Sequence, residues 1–427
     1  MDLSTSAEAK TAAGCPFHQA AGYSPQFREP IFGELAALRR ECPVFLDEAS
    51  GQWIVTRYED IVAIFQDRER ISSANASDPL DPLPSDVYRI MREGHFKAEP
   101  ILANCDTDKH TRVREVLTRL MNPRAFQKLE PDIRRLVGEA LDRLEGREEV
   151  DLMADFCYEL PARVLFVLMG IPDADMQAVK AWSSAFAGLS FSPAPPAEQV
   201  ECARQMVDYW HYCEALVERR QREPGDDFTS QLLALRNGDD AVISMNEVKT
   251  AVYTLLFGGH ETTTNQLANA FHALLTNRSA WESICADPAL IPGAIEEAFR
   301  FAGAVVNFRR RTKTAITLGD VTIPANADIL VSFASANRDE AVFPDPDRFD
   351  PKRANARRHL TLGNGAHFCL GAPLARLEMK VALEEFVRRF PGVRLKPGTE
   401  MDYASSLVFR VPVAVPVTLR GEAAGIV

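Results

Sequence analysis

The ten residues from Leu362 to Gly371, Leu-Gly-Asn-Gly-Ala-His-Phe-Cys-Leu-Gly, constrain this chain more than any other stretch. Glycines at 363, 365 and 371 let the backbone turn tightly and approach something flat and bulky. Cys369 sits near the end of the loop, and Ala372-Pro373 then open a helix. That helix is apolar at helical spacing through Phe386 and stops at Phe390-Pro391-Gly392. Backbone N–H groups at its start point toward Cys369 and favour a thiolate over a thiol. A half-enclosed thiolate serves as a nucleophile or a metal ligand. No Cys-x-x-Cys accompanies it, which argues against zinc. A single axial thiolate on haem iron fits better, and a buried structural cysteine is the plain alternative.

A second feature is the longest helix. Ser244-Met245-Asn246-Glu247 forms a capping box, and helical periodicity continues to about Asn277. Its middle, Phe257-Gly258-Gly259-His260-Glu261-Thr262-Thr263-Thr264, is poor in helix formers, each glycine costing about 1 kcal/mol against alanine. Such a run predicts a kink or a widened turn of the kind found at functional sites. Close packing of another helix against the glycines is the competing explanation.

The rest of the composition narrows the class. A net charge of −12 argues against a nucleic-acid partner. No run of 18 apolar residues and no signal peptide are present, so the expectation is a soluble, cytoplasmic monomer with no membrane contact. The remaining cysteines are scattered without pairing spacings, as reduced thiols would be. Residues 1–30 read as a flexible tail and 31–427 as a single domain. The Ser/Asp/Pro/Gly-rich stretch from 72 to 100 reads as a long functional loop, and 188–199 as a lid between two helices.

The cysteine loop resembles the haem-binding signature of cytochromes P450, matching at Gly365, His367, Cys369 and Gly371 and departing at Leu362, where the family usually has Phe. The glycine–threonine run resembles the family's oxygen-binding groove. Glu297-x-x-Arg300 and Pro346-x-Arg348-Phe349 match two further motifs. The resemblance extends from about residue 30 to 420. It implies a mainly α fold with small β-sheets, holding haem b (iron protoporphyrin IX) between the long central helix and the cysteine loop and helix.

It also implies roles residue by residue. Cys369 is the iron ligand. His110, Arg114, Arg310 and His359 clamp the propionates, with Arg310 preferred to Arg309 because strand alternation sends neighbours to opposite faces. Gly258 gives dioxygen room, and Glu261 and Thr262 relay protons. Glu297, Arg300 and Arg348 form a structural network, while Phe257, Gly258 and Val305 face a small apolar substrate. The implied activity is monooxygenation, inserting one atom of O2 into a C–H bond with electrons from NAD(P)H. A ferredoxin with its reductase, or a reductase domain, would deliver them, since no nucleotide, flavin or iron–sulfur motif is present. Lys352, Arg353, Arg357 and Arg358, with Arg112, form a candidate basic patch for that donor. A peroxide-driven haem enzyme and a non-catalytic haem sensor are the rival readings.

Overall fold

The computed structural model describes residues 31–419 apart from residue 81. The tail expected over 1–30 lies outside the described residues. Helices dominate, and the strands gather into small sheets.

The long helix, Met245–Thr276, starts where its sequence requires. Ser244 accepts the Glu247 N–H, and the Glu247 carboxylate accepts the Ser244 N–H in return. Its 32 residues span roughly 48 Å at 1.5 Å per residue, enough to cross the whole molecule. Most of its side chains are buried all round, as in a helix through a core rather than along a surface. Phe271 fixes its position against the cysteine side: its ring lies 4.8 Å from Phe386 on the helix Ala372–Arg389 and 5.9 Å from Phe156. Each such buried phenylalanine contributes about 1.5–3 kcal/mol of burial energy.

The predicted widened turn at Phe257–Thr264 is absent, and the helix runs through unbroken. The threonine hydroxyls at 262 and 263 donate to the carbonyls of Gly258 and Gly259, at 2.8 and 3.2 Å, so they engage the backbone without interrupting it. The two glycines divide the two explanations between them. A Cβ on Gly259 would sit 3.0 Å from Leu165, a close helix contact, whereas one on Gly258 would meet nothing within 4 Å.

The segment from 72 to 100 is not one loop. Ser85–Glu93 is helical within it. The lid is likewise shorter than 188–199: the helix Met176–Phe191 and the helix Pro196–Arg222 leave only 192–195 between them.

The five-stranded sheet runs in the order Val44–Asp47, Gln52–Val55, Asp328–Ser332, Asn307–Thr312, Ile71–Ser72. Only the pair Gln52–Val55 with Asp328–Ser332 is parallel. The strand Asn307–Thr312 places Arg309 and Arg310 on opposite faces, both buried. No helix among the described residues is long and apolar enough to cross a membrane.

Candidate active site

A cavity opens between the long helix and the cysteine loop. Phe257, Gly258 and Thr262 line one wall, and Leu362, His367 and Cys369 line the other. Val305 closes an edge, bridged to Phe409 by backbone pairing.

The loop's shape follows from its glycines. Gly363 and Gly365 have φ of +76° and +64°, a region costly for other residues. At Gly365 a Cβ would also press on the Phe65 carbonyl at 3.0 Å. The turn closes when the Cys369 N–H donates to the Leu362 carbonyl at 2.8 Å. This leaves the thiol open to the cavity while packed protein shields it from bulk water. Burial pushes the thiol's pKa up, and the N–H groups of Gly371 and Ala372 together with Arg114 offset only part of that rise. The N–H groups at the helix start thus act in the expected direction, toward the thiolate, against the desolvation that opposes it.

Next to the loop stands a group of cationic and proton-bearing side chains. His110 and Arg114 project from one face of the helix Asp108–Leu120, the His110 ring lying 4.4 Å from that of His367. Arg310 reaches in from the sheet with its guanidinium 4.2 Å above the Phe65 ring. Arg309 points the other way and donates to the Ser190 carbonyl at 3.0 Å. Burial holds Arg310 down to about 10, and burial with the Arg310 charge pushes His367 down to about 3.

Among the described residues none of His110, Arg114, Arg310 and His367 has an acidic partner in a salt bridge. Both His110 ring nitrogens and Arg310 Nη2 are buried with no hydrogen-bond partner in the protein. The nearby Asp106 is already engaged by Ser72 and Ser73. A buried polar atom without a partner costs about 1–3 kcal/mol, so such a cluster fits a ligand bearing carboxylates. A haem with two propionates and an iron toward Cys369 is such a ligand.

Two sequence expectations are corrected here. His359 does not face the cavity. It is buried behind the loop, stacked 5.2 Å from the Phe299 ring, with Nε2 3.3 Å from Glu296. Glu296 is also bound by Arg376 at 2.6 Å. His367 stands in the place given to His359. Its position two residues before Cys369 carried the signal, because the loop must turn that side chain toward the same cavity.

The second correction concerns Arg348. Glu297 and Arg300 do form a fully buried pair, with Nη2–Oε1 at 2.7 Å and neither side chain exposed. Arg348 adds only its carbonyl, which accepts from Arg300 at 3.1 Å, while its side chain is 70% exposed beside Asp350. The guanidinium that joins Glu297 is that of Arg353, with Nε–Oε1 at 3.0 Å. Arg353 thereby leaves the basic patch. Arg112 does too, since Glu247 binds it at 2.6 Å.

Glu261 and Thr262 diverge as adjacent helical residues must. Thr262 faces the cavity, and Glu261 turns aside from it, its side chain 19% exposed. Its Oε1 lies 3.3 Å from His260 Nε2, and the His260 Nδ1 in turn binds the Leu256 carbonyl at 2.6 Å. Lys180, fully buried, sits 3.9 Å above the Tyr158 ring. Burial alone would push the Glu261 carboxyl up, but His260 and then Lys180 bring it below its usual range.

The Cytochrome P450 family model matches residues 189–287 and 289–406. The chain belongs to the cytochrome P450 family. Among curated proteins this P450 is similar to mycinamicin IV hydroxylase/epoxidase of Micromonospora griseorubida, at 34% identity over 94% of this chain and 97% of that protein. It is also similar to 6-deoxyerythronolide B hydroxylase of Saccharopolyspora erythraea, at 31% identity over 93% of this chain and 98% of that one. Among solved structures, cytochrome P450 CREJ in complex with (4-ethylphenyl) dihydrogen phosphate superposes with a TM-score of 0.90 at 34% identity, covering 94% of this chain and 99% of its own. An intact type IV self-sufficient cytochrome P450 monooxygenase matches with a TM-score of 0.88 at 33% identity, 92% of this chain covering 51% of it. The P450 is thus a haem-thiolate monooxygenase of the mainly helical P450 fold.

Proposed function

We propose that residues 31–427 form a single domain binding haem b, and that the enzyme inserts one atom of O2 into a C–H bond of a small apolar substrate. The observation carrying this reading is the pair of unpartnered His110 ring nitrogens and the unpartnered Arg310 Nη2, with His367 alongside, next to a cavity-facing Cys369. Cys369 would hold the iron, and His110, Arg114, Arg310 and His367 would bind the propionates by charge-assisted hydrogen bonds. When bound, a haem with an axial thiolate supplies cleavage of the O–O bond. The protein's part is to orient the substrate, exclude water and manage protons.

Phe257, Val305 and Phe409 give the substrate an apolar wall. Thr262 Oγ1 holds a proton at that wall, and the space beside Gly258 leaves room for dioxygen. Glu261 stands beside His260 behind the same helix turn, where its carboxylate can accept and pass on a proton. A peroxide-driven enzyme would not need this acid–alcohol pair, and a sensor would not need it either. NAD(P)H consumption with a surrogate ferredoxin system, set against hydrogen peroxide alone and against neither, tests the reading. Turnover with peroxide but none with the ferredoxin system would favour the peroxide-driven reading, and no turnover with either would favour the sensor.

Thr262→Ala is expected to keep haem and substrate binding but to release peroxide in place of product, since positioned proton donors are worth about 10²–10⁴-fold in rate. Product formed per NAD(P)H consumed measures it, and unchanged coupling would remove Thr262 from proton delivery.

The electron donor is proposed to be an acidic ferredoxin from a separate protein or an attached reductase, in the cytoplasm, with the P450 a monomer. Lys352, Arg357 and Arg358 remain exposed on the cysteine side to steer it. Reduction should slow as salt rises, because screening shortens the field to about 8 Å at physiological ionic strength. A rate indifferent both to salt and to Arg357→Glu/Arg358→Glu would discard the patch.

A further inference from the structure

The helices Met176–Phe191 and Pro196–Arg222, with the long helix, carry more oxidisable rings than closing a cavity requires. Phe186 lines the cavity, and its ring lies 5.9 Å from that of Tyr253. Tyr253 is 4.6 Å from Tyr209, Tyr209 is 6.1 Å from Trp182 in a stacked pair, and Trp182 is 5.4 Å from Tyr212. Beyond Phe186, every ring on this path is a phenol or an indole, the aromatic side chains that give up an electron most readily. Packing alone would be served equally well by phenylalanine.

The hydroxyls give the path a direction. Tyr253 Oη is buried with no hydrogen-bond partner in the protein, and Tyr209 Oη donates to the Tyr253 carbonyl, a very weak base, at 3.2 Å. Tyr212 Oη donates to a carboxylate, Asp175 Oδ2, at 2.7 Å. A phenol that has lost an electron becomes strongly acidic and passes its proton to a base within reach. On this path only Tyr212 has a side-chain base, and both Tyr212 and Asp175 are half-buried, at the outer end of the row.

We propose that these rings form an exit for oxidising equivalents when the enzyme activates oxygen with no substrate in place. The proposal rests on the haem monooxygenase reading, which supplies the oxidant. One electron moves inward from Tyr212 through Trp182, Tyr209 and Tyr253 to the cavity, and the Tyr212 proton moves to Asp175, leaving a neutral tyrosyl radical. Two such electrons, with two protons from solvent, convert the unused oxygen atom to water. After each passage a soluble thiol or ascorbate returns an electron and a proton to the Tyr212 radical while Asp175 releases its proton to solvent, so the same phenol supplies the two electrons in turn. Damage that would otherwise fall on the cavity walls is carried to a replaceable site near the surface.

The test uses substrate-free holoprotein mixed with hydrogen peroxide, frozen rapidly and read by electron paramagnetic resonance. Wild type should give a tyrosyl signal that Tyr212→Phe abolishes, with oxidised products then appearing at Trp182 or Tyr209 in peptide mass spectrometry. Tyr209→Phe keeps the ring and its packing, yet should lower the radical yield and shorten survival under peroxide several-fold while leaving turnover of substrate unchanged. Asp175→Asn should weaken the Tyr212 signal in the same way. An identical radical and identical survival in wild type, Tyr209→Phe and Tyr212→Phe would overturn the proposal. The carbon monoxide spectrum, recorded first on the same samples, separates a failure of the haem-thiolate assignment from a failure of this one.

Discussion

Replacing Cys369 with histidine is expected to abolish the strongly red-shifted Soret band of the reduced, carbon monoxide-bound protein, and oxygen insertion with it. The reason lies in the ligand: thiolate donation favours O–O cleavage, and imidazole supplies less of it. The loop itself should survive, because its closing bond runs from the backbone N–H of Cys369 to Leu362 and its turns depend on Gly363 and Gly365. Cofactor retention and far-ultraviolet circular dichroism would confirm that the fold is kept. An unshifted, imidazole-type band in the wild type would show that Cys369 is not the ligand.

The second large effect is on stability. Glu297→Ala should cost about 3–5 kcal/mol, because it leaves the fully buried Arg300 charge without its partner. Arg353→Ala should also be markedly destabilising, since its guanidinium is enclosed against Glu297 and accepts no replacement from solvent. Arg348→Ala should cost less than about 1 kcal/mol, as expected for an exposed pair with Asp350. Denaturant midpoints of the three variants decide the matter, and an Arg348 variant as unstable as the Arg353 variant would contradict the network described above.

What the sequence made legible, and what it hid, follows the range of the interactions. The start of the long helix could be read because Ser244 and Glu247 satisfy each other within one turn. The cysteine loop could be read because its glycines, its histidine and its thiol lie within ten residues. Arg310 came from the resemblance, ten positions on from Arg300, with strand alternation turning Arg309 to the other face. The network behind the loop was harder, since the guanidinium that reaches Glu297 is set by how the chain turns between Asp345, at φ +49°, and Arg353. His359 was misplaced for a similar reason: its pairing with Glu296 spans 63 positions. The helix Ser85–Glu93 passed for loop because Val87 is its only buried residue, too thin a stripe to stand out among its polar neighbours. Lys180 gave no sign at all. One lysine on an apolar helix reads as solvent-facing until the elements that enclose it are assembled.

The unpartnered His110 ring and Arg310 Nη2 beside the cysteine loop bear on how much of this protein a cell can accumulate. A chain that has folded around that cluster carries desolvated donors with nothing to accept their hydrogen bonds, so its native state is held back from full stability. A ligand that binds only the folded form adds stability in proportion to the logarithm of its free concentration over its dissociation constant. Chains that capture the cofactor are expected to resist proteolysis longer than chains that do not, as limited digestion with and without added haem would measure.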